Sequence, residues 1–92
     1  MHNDSLALDY AMRSLAIYTT LADRVGEANV LMNIARIFNH NGDSGIALNY
    51  AEKSCLLHRE SSTKEGEADS LLLMSAAYQR MHHYPLAIET AE

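Results

Sequence analysis

The chain has 92 residues, 48% of them apolar, with one proline, four glycines and a net charge of −5. Such a length makes one small domain with a modest core, and so few helix breakers suit long helices better than a turn-rich β fold. The acidic balance counts against nucleic acid and anionic membranes as partners, and no run approaches the ~18 apolar residues of a membrane span.

The opening stretch, MHNDSLALDY, lacks the basic region and apolar run of a secretory signal. The single Cys55 has no internal disulfide partner, so a reducing, cytoplasmic setting is expected. The first predicted helix covers 4–21 with Asn3 as its N-cap; Leu6, Ala7, Tyr10, Ser14 and Ile17 share one face at the helical period. The second covers 24–40, capped by Asp23, and carries Leu31, Ile34, Ala35 and Phe38 at i, i+3, i+4, i+7. HNGDSG, residues 40–45, makes the next turn, with Gly42 as the stop and Asp43 as the following cap. The third helix, 44–60, repeats the first face as Ile46, Ala47, Tyr50, Ser54 and Leu57. The fourth, 64–81, is capped by Thr63 and repeats the second face as Leu71, Met74, Ser75 and Tyr78. A fifth, 85–92, has Pro85 in its first turn, where a missing N–H costs little.

Two helix types therefore alternate, and the text returns at an offset of 40 residues. LALDYAMRS (6–14) becomes IALNYAEKS (46–54) and then LAIETAE (86–92), while Gly26-Glu27-Ala28 becomes Gly66-Glu67-Ala68. Twelve of the 52 pairs at that offset are identical, against about four expected by chance for ordinary composition. A simple bundle does not need such a period, whereas a stack of helix pairs does. Ala7, Ala47, Ala87, Ala35, Ser75, Gly26 and Gly66 are expected where helices approach closely.

These residues resemble the long, 40-residue form of the tetratricopeptide repeat. Leu31, Ile34-Ala35 and Phe38 match that family's first helix, Gly42-Asp43 its turn, and ALNYAEKS its second helix. LADRVGEA (21–28) is similar to its linker, with Ala22 in place of glycine; His82 and Thr90 depart from the pattern in the last copy. The resemblance implies an all-α fold, an α-α superhelix of about five antiparallel helices. Residues 1–23 would be a partial repeat, 24–63 a full one and 64–92 a truncated one, as in a segment of a longer array. It further implies a protein–protein interaction module, not an enzyme, that holds a peptide or helix of a partner in a concave groove. The rival expectation is the sensory array of a bacterial signalling protein or transcription regulator, reading a signal peptide or its own output domain.

By that resemblance the groove residues are Asn29, Met32, Asn33, Arg36, Asn39 and His40 on one helix, with Asp69, Leu72, Leu73, Ala76, Gln79 and Arg80 on the other. Asn33 matches an asparagine with which peptide-binding members grip ligand main chain. The groove lacks the lysine pair that clamps a terminal carboxylate, so that ligand is not expected. No cofactor is expected. His2, His40, His58, His82 and His83 follow no zinc spacing, and Cys55 reads as a small buried apolar residue. Leu8, Ala11, Leu15 and Tyr18 at one end, with Ile88 and Ala91 at the other, are expected to be uncovered and to drive self-association.

Overall fold

The computed structural model describes residues 4–81. Four α-helices make up this part: α1 (Asp4–Thr20), α2 (Arg24–His40), α3 (Ser44–Glu60) and α4 (Lys64–Met81). Their starts at 4, 24, 44 and 64 are evenly spaced, so half of the 40-residue period is one helix and its turn. The fold is all-α, with helices packed on one another in sequence order. The predicted boundaries hold, except that α1 ends at Thr20 and not at 21. The predicted fifth helix, the Asn3 cap, Ala87, Ile88 and Ala91 lie outside the described residues.

All three turns close alike. The backbone N–H groups of Asp23, Asp43 and Thr63 donate to the carbonyls of Tyr18, Phe38 and His58 at 3.0, 2.8 and 2.9 Å. Those of Ala22, Gly42 and Ser62 donate to Thr19, Asn39 and Arg59, each at 3.1 Å. This double closure needs a left-handed residue at the second bond's donor. Ala22, Gly42 and Ser62 indeed have φ of 58°, 91° and 60°. A side chain in that region costs about 1 kcal/mol, which glycine avoids. Ala22→Gly is therefore expected to stabilise the protein by about 0.5 kcal/mol, after allowing for glycine's extra freedom when unfolded. A thermal melt in which Ala22→Gly unfolds earlier than the parent would contradict the strain.

The caps are less uniform than the sequence suggests. Asp23 accepts from the Gly26 N–H at 3.0 Å. Asp43 makes no side-chain cap bond. The Thr63 hydroxyl turns back instead, donating to the His58 carbonyl at 3.1 Å.

The apolar faces meet between α2 and α3. Ala35, Ala47 and Ala51 are fully buried there, with Phe38, Tyr50, Leu73 and Met74 packed around them. Small side chains let the two backbones approach, and the larger residues fill the flanks. The Phe38 and Tyr50 rings stack with centroids 5.8 Å apart. Among the described residues Ala7 and Ser75, which occupy the matching positions, are exposed. Close approach there would need a helix facing α1 or α4 in the way that α2 and α3 face each other.

A buried polar chain ties three helices. Ser54 Oγ donates to the Ala28 carbonyl at 2.8 Å and lies 2.9 Å from Ser70 Oγ. A hydroxyl has one proton, so Ser70 is the donor in the second bond. Ser70 Oγ also lies 3.6 Å from Met32 Sδ, joining α4 to α2 directly.

Gly26 and Gly66 serve one purpose at two places. A Cβ on Gly26 would overlap the Tyr18 ring, and a Cβ on Gly66 would overlap the His58 ring. In each case an aromatic side chain from the last turn of one helix packs against the first turn of the next.

Candidate groove between the second and fourth helices

α2 and α4 belong to the same helix type. α2 contacts α4 directly, across the α3 that connects them. Between them opens a cleft of about 260 Å³ lined by Arg36, Asp69, Leu72, Leu73 and Ala76. All five were expected in the groove. Leu72 is 69% exposed, a large apolar side chain held in water. Arg36 stands on the α2 wall and Asp69 on the α4 wall, and among the described residues neither joins an ion pair. Ala76 occupies the register position of Arg36.

The other expected residues separate into two groups. Asn33 is exposed beside the cleft, and its Oδ1 accepts from Arg36 Nη1 at 3.1 Å. Asn29, His40, Gln79 and Arg80 are also exposed. Asn39 is half-buried and accepts from the Ser44 hydroxyl at 2.8 Å, which commits its side chain to the α2–α3 turn. Met32 must be moved out of the groove. It is 7% exposed and packs against Ser70, because α4 covers that side of α2.

Ser70 and His58 were not anticipated. Ser70 holds the register position of Val30, and a polar residue at a core position was the available signal. His58 is 2% exposed. Its Nδ1 lies 2.7 Å from Thr63 Oγ1, and its Nε2 is buried without a partner among the described residues. Cys55 is buried, with Arg59 Nη2 3.7 Å from its Sγ. Arg59 bridges to Glu67 at 3.0 Å, and that hydrogen bond holds its guanidinium above the ordinary value. Among the described residues no group of three or more His, Cys, Asp or Glu could hold a metal ion. No described helix is long and apolar enough to cross a membrane.

The uncovered surface of α1 differs from expectation. Leu8, Ala11, Leu15 and Tyr18 are half-buried, on a helix whose one neighbour among the described residues is α2. The most exposed large apolar residues are instead Leu6, Tyr10, Ile17 and Leu21, at 53%, 58%, 59% and 67%.

No family model matches the chain, and neither the curated proteins nor the solved structures give a significant match.

Proposed function

We propose that the chain is a protein–protein interaction module of the tetratricopeptide kind, holding a peptide or helix of another protein in the α2–α4 cleft. One observation carries this reading: Leu72, 69% exposed, sits in a cleft with a cation on one wall and an anion on the other. Exposed apolar side chains beside unlike charges suit an amphipathic segment, which buries one side chain and keeps its flanking polar groups paired. The Asn33 carboxamide, already oriented by Arg36, adds hydrogen-bonding capacity at the rim.

Peptides selected from a random library on the intact chain test the reading. Leu72→Asp should weaken their binding at least tenfold, the scale of one central apolar contact. Asn33→Ala should cost about 1–3 kcal/mol of affinity, since it removes the amide and frees Arg36. Both side chains are exposed, so the melting temperature should barely move. Selected peptides that bind Leu72→Asp as well as the parent would place the binding surface elsewhere.

A further inference from the structure

We infer that the occupant this cleft fits is the α1 helix of a second copy of the chain, an inference that rests on the cleft being a binding surface. Three features of α1 carry it. Leu6, Tyr10 and Ile17, with Leu21 just past the helix end, are all more than half exposed. At 3.6 residues per turn they fall within roughly 60° of arc, one continuous apolar stripe. In α3 the matching positions are less open: Ile46 is 45% exposed, Leu57 is half-buried and Tyr50 stacks on Phe38. Among the described residues α1 contacts α2 alone, and no described helix lies over its stripe.

The second feature is charge. Asp9 and Arg13 flank the stripe and pair with each other at 3.2 Å, one helical turn apart. Arg13 also lies over the Tyr10 ring at 5.7 Å. The cleft offers the complement, with Arg36 on one wall and Asp69 on the other. A docked α1 would set Asp9 toward Arg36 and Arg13 toward Asp69, with Tyr10 and Ile17 against Leu72, Leu73 and Ala76. Each charge then exchanges an intrahelical or solvent partner for an opposite charge across the interface, which fixes the register.

The third is location. The stripe and the cleft are different surfaces of one chain, so the contact is heterologous. Such contacts extend head to tail or close into a ring. A pairing of two α1 stripes about a two-fold axis would bury the apolar residues equally well, but it would leave Arg36 and Asp69 without use.

Sedimentation velocity on the intact chain over a concentration series tests this. The parent should associate with rising concentration. Ile17→Asp on the stripe and Leu72→Asp in the cleft should each weaken association about tenfold or more, as single central contacts do. Asp9→Arg should weaken it too, and adding Arg36→Asp to that variant should restore most of the loss. All four positions are exposed, and circular dichroism of each variant checks that the helices remain. A parent that stays monomeric overturns the inference. So does association that ignores Leu72→Asp, which would indicate stripe-to-stripe pairing, or a charge exchange that restores nothing. The library peptides separate this from the broader reading. If they still require Leu72 while the chain stays monomeric, only the occupant is wrong; if they ignore Leu72 as well, the cleft itself is not a binding surface.

Discussion

Gly66→Ala is expected to destabilise the protein by about 2 kcal/mol, although alanine is the better helix former. The propensity gain is about 1 kcal/mol. Against it stands overpacking, which costs about 1–3 kcal/mol and more where the neighbour cannot yield. Here the neighbour is the His58 ring, which a Cβ at position 66 would overlap. His58 is 2% exposed and tied to Thr63 Oγ1 at 2.7 Å, so the ring has nowhere to swing. The clash therefore wins, and the melting temperature should fall by roughly 10 °C for a chain of this size. The test is a change of sign. In a His58→Ala background the obstacle is gone, and Gly66→Ala should stabilise by about 1 kcal/mol, the bare propensity. Equal losses in both backgrounds would show that the ring is not the cause.

Ala47→Leu should cost about 3 kcal/mol, the upper part of the range for enlarging a packed core residue. Ala47 is fully buried against Ala35, with Ala51 one turn along and the Phe38–Tyr50 stack beside it. Three added carbons would have to separate α2 from α3 along the best-packed seam of the fold. Urea titration should show a lower midpoint with an unchanged slope. A midpoint equal to the parent's would mean that the two helices do not meet at Ala47.

Much of this was legible in the sequence because the 40-residue repeat fixes which face each residue occupies. The Ala35, Ala47 and Ala51 contact and the turn at Gly42 follow from register, whereas the groove residues came from the resemblance alone. Register does not fix burial, because burial depends on what stands opposite. Met32 and Leu72 hold one register position, yet one is 7% exposed and the other 69%. α4 lies against the first, and no described helix lies against the second in the same way. Leu31 and Leu71 differ similarly, at 5% and 47%. The same reasoning corrects α1. Its Leu8, Ala11, Leu15 and Tyr18 are the residues half-buried, three of them matching the buried Ala51, Cys55 and His58 of α3, while Leu6, Tyr10 and Ile17 are exposed. His58 was legible as a repeat of Tyr18 but not as a ring lying on glycine, since that contact depends on the path of the turn.

The order of contacts has a consequence for how the chain folds. Helices α1 to α4 touch their sequence neighbours, and among the described residues the one longer contact, α2 with α4, skips a single helix. Every such contact closes a short loop, so little chain entropy is lost before packing begins to repay it. Folding should be fast, as for other proteins of local topology, and it can start at any adjacent pair and spread along the array. The seam between α2 and α3, where the small residues and the aromatic stack concentrate, is the natural starting point. From there order would pass outward one helix at a time and reach α1 as a separate step.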